Sequence, residues 1–209
     1  KLVKKNVLDS LNVVLYVAIP VSFCIFAYAG PLNYTLYYSE NLDLCTFVVQ
    51  WMALEGFLST LAPLVTNLMV SLELRKNVLK NLAIGVLIKG VLLIPFVWIL
   101  GIAGAVLSSL IGTGYILFKN LKEIHDVYAI SYRKTMIIVI RILIGLLALW
   151  LTSILLSKIG LYGVSGSKLV CLFKMCFNGL ISVIVYIIVT LYLKVPQSIF
   201  HFKLKRNRV

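Results

Sequence analysis

The sequence predicts an all-α membrane protein, a polytopic bundle of six transmembrane helices with the N and C termini in the cytoplasm. Hydrophobic residues make up 61 % and charged residues 13 % of the 209 residues, whereas soluble domains carry about 25 % charged residues. The mean hydropathy is +1.03. Several apolar runs reach about 18 residues, close to the length that crosses a bilayer. This composition excludes a soluble enzyme, a disordered chain and a secreted disulfide scaffold.

Uninterrupted apolarity defines six spans. Backbone polar groups in lipid must be satisfied within the segment, so these runs are helices rather than strands. Residues 1–118 hold the first four spans, and residues 119–209 hold a cytoplasmic loop, a terminal pair of spans and a basic cytoplasmic tail. The predicted spans are Leu11–Gly30, Leu44–Leu72, Leu82–Leu100, Gly101–Phe118, Met136–Ser157 and Leu169–Leu193.

The basic residues predict the orientation. Of the 20 Lys and Arg residues, 15 lie before the first span, in the 73–81 and 119–135 connections, or after the last span. Only two lie in the alternate connections, both within 158–168. This bias is typical of cytoplasmic loops. Because membrane lipids and orientation account for the net charge of +13, nucleic acid is not an expected partner.

Two ionisable residues of the first four spans are candidates for a substrate cavity, because charges in lipid are costly. Lys89 is the eighth residue of the third span, about 10 Å from its cytoplasmic end. Snorkelling from that depth is strained, and both snorkelling and a cavity role stay open. Glu55 lies in the outer half of the second span, roughly 10 Å or more from Lys89 along the membrane normal. A shared cavity is therefore expected rather than a salt bridge.

The last two spans add three candidates. Arg141 and Lys174 lie about five residues inside their spans, where a long side chain either snorkels to the headgroups or faces a cavity. Lys174 also begins a series of polar residues that share one helix face, and such a face contacts protein or water rather than lipid. Asn178 is the next member. The series is Lys174, Asn178, Ser182, Tyr186 and Thr190.

Small residues in the fourth span predict close helix packing. Gly104, Ser108 and Gly112 are four apart, so they form a face that another helix can approach closely. Gly101 extends the same group to the start of the span. Such a seam can also rock during transport.

An enzyme, a metal site or a cofactor site is not predicted. The seven acids and two histidines form no HExxH motif, P-loop or paired intramembrane aspartates, and no GxSxG is present. His125-Asp126 is interpreted as a solvated part of the 119–135 loop. The four cysteines form no CxxC pair and are interpreted as small apolar residues of the core.

Two stretches resemble a known family. Lys89–Pro95 (KGVLLIP), a short turn and Gly101–Ala105 (GIAGA) are similar to the C-terminal half of oligosaccharide-lipid flippases. These proteins form part of the multidrug/oligosaccharidyl-lipid/polysaccharide exporter superfamily, in the branch of stage V sporulation protein B and the lipid II flippases. Ile19 to Pro31 resembles an earlier helix pair of the family. The resemblance covers Leu11–Lys119, and the last two spans match in number and length.

The resemblance implies the C-terminal part of a flippase. Its substrate would be a polyprenyl-linked oligosaccharide or a lipid II-like cell-envelope precursor, moved across the bacterial cytoplasmic membrane by alternating access. Residues 1–118 would end the second lobe, the terminal pair would line a groove for the lipid tail, and the N-terminal half of the same transporter would be a partner. Lys89 matches a lysine common in this branch. The alternative is a non-transporting membrane subunit or scaffold, in which Lys89 and Glu55 bind a partner's helix.

Overall fold

The computed structural model describes residues 2–37, 41–161 and 167–200. Every regular element in these ranges is helical, and six of these helices are long and apolar enough to cross a membrane. The all-α, six-span prediction is therefore confirmed. In chain order the helices are α1 Leu2–Ala27, α2 Ala29–Leu36, α3 Leu42–Ser71, α4 Arg75–Leu100, α5 Ile102–Tyr128, α6 Arg133–Leu156, α7 Lys168–Tyr192 and α8 Val195–Phe200, with a π-helical turn, Ser157–Leu161, continuing α6.

Several helices are longer than the predicted spans. α1 begins at Leu2 rather than Leu11, and α5 continues to Tyr128 rather than ending at Phe118. Apolarity marks only the part of a helix that lies in hydrocarbon, whereas the backbone hydrogen bonds of a helix continue into the polar headgroup layer. The sequence thus located the spans but not the helix ends.

The predicted cytoplasmic loop over 119–135 has a more regular backbone than expected. Most of this segment is helix, because α5 and α6 are separated only by residues 129–132. Ala129 adopts a left-handed conformation, with φ 46°, which ends α5 and allows the sharp turn. The predicted basic tail begins with α8, and its residues 201–209 lie outside the described residues.

The six long helices form a row. α4 packs on α5, α5 on α3, α3 on α1, α1 on α6, and α6 on α7. α1, α4 and α6 begin at the same end of the bundle at which α3, α5 and α7 finish, and we call this the basic end. α8 contacts α7, α1 and α6 there, and α2 joins α3 to α7 at the opposite end.

Two hydrophobic clusters hold the row together, and α1 belongs to both. Val7 and Leu11 of α1 pack with Met69 of α3 and Ile124 of α5 at the basic end. Farther along α1, partly buried side chains such as Tyr16 pack against the second cluster, which is formed by α6, α7 and α8. The division of the chain into residues 1–118 and 119–209 stays a prediction. α1 packs against helices of both parts, α3 in the first and α6 in the second.

The small-residue face of α5 packs against α4. Gly104, Ser108 and Gly112 are buried, and a Cβ on Gly112 would lie 2.9 Å from the carbonyl O of Gly85 on α4. Predicted close packing is thus confirmed for these three residues. Gly101 is a correction: it is exposed, and a Cβ there would meet nothing within 4 Å. Its φ of +60° forms the one-residue turn between α4 and α5, a conformation that favours glycine.

Candidate functional site

Lys89 and Glu55 do not share a cavity wall among the three cavities described below. The Lys89 side chain is exposed on α4, whereas Glu55 is half-buried on α3 and its Oε1 accepts a 2.8 Å hydrogen bond from the Ser59 Oγ. α3 and α4 both pack on α5 and also contact each other. They form no ion pair, as the sequence predicted.

Their predicted separation in depth is too large. A Cβ on Gly112 would lie 2.8 Å from the Lys89 Cβ, and one on Gly114 would lie 3.9 Å from the Leu58 Cδ1. Gly112 and Gly114 are only about 3 Å apart along α5, and Glu55 is about 4.5 Å from Leu58 along α3. Glu55 and Lys89 therefore lie within about one helical turn of the same depth.

The three candidates in the terminal pair of helices lie in three different environments. Arg141 of α6 is half-buried, and its Nη1 donates a 3.4 Å hydrogen bond to the carbonyl O of Leu193. Lys174 is half-buried near the start of α7. Asn178 is fully buried and lines none of the three cavities described below. The five predicted cavity residues are thus not brought together.

The polar series on α7 is buried against protein, as predicted for Asn178, Ser182, Tyr186 and Thr190. Tyr28, at the junction of α1 and α2, donates a 2.9 Å hydrogen bond to the Asn178 Oδ1, and its hydroxyl also lies 3.3 Å from the Ser153 Oγ of α6. Ser182 donates to the same Asn178 oxygen at 3.2 Å. This polar network joins the α1–α2 junction to α6 and α7, so Asn178 has a packing role.

An apolar groove along α6 is the best candidate for a ligand site. At the end opposite the basic end, a cavity of about 690 Å³ lies between α1 and α6. Its walls are mostly apolar, with Phe26 on α1 and Leu147 and Trp150 on α6, and Gln50 of α3 adds an amide. Cavities of this size and character hold drug-sized apolar ligands.

A second cavity, of about 510 Å³, continues along α6 at the basic end. Met136 and Val139 of α6 face α1, α3 and α5 across it, and Lys122 and His125 lie at its rim. The His125 Nδ1 lies 2.7 Å from the carbonyl O of Ile130. Since a carbonyl only accepts, Nδ1 carries the proton there.

Polar groups in the same cavity differ in how they are satisfied. The Tyr132 hydroxyl donates a 3.0 Å hydrogen bond to the carbonyl O of Leu121, and burial raises the pKa of Tyr132 to about 12. The phenol therefore stays a donor at neutral pH. Thr135 is only 7 % exposed, and its Oγ1 has no hydrogen-bond partner within the described ranges. An unpaired buried hydroxyl is costly, which makes Thr135 available to a ligand.

The two cavities open on one face of α6. Their α6 residues are spaced by three or four, and such residues share a helix face. We call this face, with the walls opposite it, the α6 groove. From Met136 to Ile154 it runs about 27 Å, close to the thickness of the hydrocarbon core. The α6 residues are Thr135, Met136, Val139, Leu143, Leu146, Leu147, Trp150, Ser153 and Ile154.

Sequence reasoning missed the α6 groove for a physical reason. α6 has few polar residues, and they lie on more than one face, so no single polar stripe marks which face lines a cavity and which faces lipid. Tyr28 was also missed, although its position between Ala27 and the Ala29-Gly30-Pro31 stretch marks a break between helices. A buried tyrosine at such a break needs a polar partner, and that requirement was the available signal.

Comparison with known proteins adds no family. No model of a known protein family matches the chain, and its sequence matches no curated protein. The resemblance to flippases therefore stays a hypothesis, and the function is inferred from the geometry.

Proposed function

We propose that the chain is the C-terminal, lipid-binding part of a flippase of the bacterial cytoplasmic membrane. Its substrate would be a polyprenyl-linked oligosaccharide or a lipid II-like cell-envelope precursor. The α6 groove is the observation that carries this proposal. A polyprenyl chain is long and wholly apolar, and it needs an apolar wall along most of the bilayer thickness while the headgroup crosses. The α6 groove supplies about 27 Å of such a wall.

The polar ends of the groove suit the rest of the substrate. A diphosphate is expensive to move through lipid unless cations and hydrogen-bond donors accompany it. Lys122 and His125 lie at the basic end, and Gln50 and Ser157 lie at the opposite end. The positive-inside rule assigns the basic end to the cytoplasm, where such precursors are made available to a transporter. The substrate headgroup would enter beside Lys122.

The edge of the row supports a second lobe as partner. α4 exposes apolar side chains such as Ile94 (76 % exposed) and Trp98 (89 % exposed) together with the Lys89 ammonium. A mid-span ammonium facing lipid costs about 2.5–3.5 kcal/mol, so we infer that the N-terminal half of the same transporter covers it. Lys89 would then face the cavity between the lobes, and the lobes would alternate access around it.

The groove is tested by narrowing it. In the full-length protein, Leu147→Trp adds an indole to the groove, whereas Leu151→Trp adds the same group one turn away, outside the two cavities. Leu147 and Leu151 are 57 % and 56 % exposed, so the pair is matched in exposure. We expect Leu147→Trp to slow translocation of a fluorescent polyprenyl-linked saccharide in membrane vesicles, with Leu151→Trp near wild type. Equal fluxes in the two variants, at equal expression, would contradict the proposal.

The exposed face of α4 also favours a second candidate function, a non-transporting membrane subunit whose Lys89 and Glu55 bind a partner's helix. Half-buried Glu55 and exposed Lys89 lie at similar depth in the bundle. A photo-crosslinking residue at position 89 distinguishes the candidates. The scaffold function predicts capture of one defined protein and unaltered saccharide flux on Lys89→Ala, and capture of lipid alone would rule it out.

A further inference from the structure

A cationic pocket lies on the other side of α6 from the groove. Its volume is about 570 Å³, and α1, α6 and α8 contribute its walls at the basic end. Hydrophobic side chains, among them Leu8 and Ile138, form part of the wall. We call it the cationic pocket, and its polar and charged residues are Lys4, Lys5, Asp9, Asn12, Lys134, Arg141 and Ser198.

The cationic pocket and the α6 groove are separate sites. Lys134 and Arg141 line the pocket, whereas Met136 and Val139 line the groove. Each of these pocket residues is two positions from one of the groove residues, and two positions correspond to about 200° around a helix. A ligand in the pocket therefore does not occupy the groove, and the inference goes beyond the proposed function.

The charge balance of the pocket calls for an anion. Among the residues that the structure describes, its wall holds four cations and one carboxylate, Asp9. Like charges repel each other, and solvent only partly screens this repulsion among Lys4, Lys5 and Lys134, which are exposed, and the half-buried Arg141. An anion bound among them would turn this repulsion into attraction.

Hydrogen-bond donors remain available in the pocket. The Arg141 guanidinium carries five N–H groups, and one donates to the carbonyl O of Leu193 at 3.4 Å. Lys4 donates to the carbonyl O of Ala129 at 3.4 Å, which leaves two further N–H bonds of its ammonium. A group with several acceptor oxygens fits this set of donors.

We propose that the cationic pocket binds the phosphate of an anionic lipid headgroup. Phosphate offers several oxygens to Arg141 and the lysines, and the planar guanidinium of arginine suits it particularly well. The lipid source follows from position. The lysines lie near the starts of α1 and α6, where headgroups lie, while Leu8 and Ile138 provide apolar surface for the first part of an acyl chain. Basic pockets between membrane helices bind anionic headgroups in this way.

The test measures lipid binding by the full chain. Native mass spectrometry of the protein titrated with phosphatidylglycerol gives an apparent Kd, with phosphatidylcholine as the neutral lipid. The test variant is Lys5→Gln/Lys134→Gln, in which both lysines are exposed and their loss should not unfold the bundle. The matched control is Lys76→Gln/Lys80→Gln, which removes the same charge from exposed positions of α4 outside the pocket.

We expect the pocket variant to bind phosphatidylglycerol about tenfold more weakly, the loss that one charge-assisted hydrogen bond represents, and the α4 control to match wild type. Equal binding by all three proteins, or an equal loss in the α4 control, would overturn the proposal. Inorganic phosphate separates the two sources of phosphate. It should not displace the lipid at the same concentration, and displacement would instead indicate a soluble phosphorylated ligand and overturn the lipid assignment.

Discussion

Helices α4 and α6 each carry one cation within an apolar span, Lys89 in α4 and Arg141 in α6. Their most apolar stretches are equally apolar, with mean hydropathies of 2.4 and 2.5. Their surroundings differ, since 6 % of that stretch is buried in α4 and 33 % in α6. α4 packs almost entirely on α5, at the edge of the row, whereas α6 lies between α1 and α7.

α6 and α4 therefore have different roles in the bundle. α6 presents one face to the α6 groove and the opposite face to the cationic pocket, so both sites depend on how α1 is held against it. α4 contributes to no cavity described above, and its exposed face is a surface for another lobe or subunit. The effect of a substitution therefore depends more on the neighbours of its helix than on hydropathy.

Breaking the α4–α5 seam should have the largest effect on stability. A Cβ on Gly104 would overlap the backbone carbonyl of Phe96 on α4, and backbone cannot move aside as a side chain can. We expect Gly104→Ala to lower the free energy of unfolding by about 3 kcal/mol, the upper part of the range for overpacking. Denaturation by sodium dodecyl sulfate in mixed micelles measures this change.

Gly114→Ala is the control for that prediction. It lies on the same helix, and its nearest neighbour would be the Leu58 Cδ1 at an ordinary 3.9 Å. Because alanine favours a helix more than glycine does, Gly114→Ala should leave stability unchanged or raise it by up to about 1 kcal/mol. Equal losses at the two positions would show that the seam is not what attaches α4.

The next largest loss of stability is expected at the other edge of the row, where a polar network rather than close backbone contact joins α6 and α7. Tyr28→Phe removes the hydroxyl that donates to Asn178 at 2.9 Å and lies near Ser153. We expect a loss of about 1.5 kcal/mol, near the upper limit measured for hydrogen bonds between membrane helices. Thermal unfolding in micelles, followed by circular dichroism, measures it.

Tyr192→Phe provides the matched control, because Tyr192 is 87 % exposed and loses the same hydroxyl. Its unfolding temperature should equal that of the wild type. If Tyr28→Phe were equally harmless, the junction of α6 and α7 would depend on apolar packing alone.

The sequence predicted those features that a change of polarity marks. The six spans differ from their connections in hydropathy, and Asn178 and Ser182 contrast with the apolar residues around them on α7, so their burial could be predicted. Gly104 and Gly112 stand out by size, so close packing could be predicted as well. In each case the physical cause acts within a single helix, where spacing along the chain gives position directly.

The remaining features depend on which helices are neighbours. Lys4, Lys5 and Lys134 were interpreted as orientation signals, because nothing in the sequence shows that the starts of α1 and α6 meet α8. The α6 groove was missed for the same reason. Glu55 and Lys89 were assigned different depths because the depth of Lys89 was measured from the predicted start of its span at Leu82, whereas α4 begins at Arg75.

The two cations should show the smallest effects on stability. Arg141→Leu removes the hydrogen bond to the carbonyl O of Leu193, and we expect a loss of about 1 kcal/mol. Lys89→Leu removes an exposed ammonium, so the free energy of unfolding should stay within about 0.5 kcal/mol of wild type or rise. Unfolding in nanodiscs measures both variants, and Lys80→Leu, also exposed on α4, controls for the added leucine.

In a transport assay the order should be reversed, with the larger loss of saccharide flux in the Lys89 variant. This reversal distinguishes an exposed lysine that contacts a partner lobe from one that faces lipid. If Lys89 faces a cavity between lobes, Lys89→Leu should lower saccharide flux by about tenfold, the value of a lost charge-assisted contact, while the protein stays fully folded. Arg141→Leu should change flux less, because Arg141 lies on the face of α6 away from the groove. A stable Lys89→Leu protein with wild-type flux would mean that the exposed face of α4 is not part of a transport pathway.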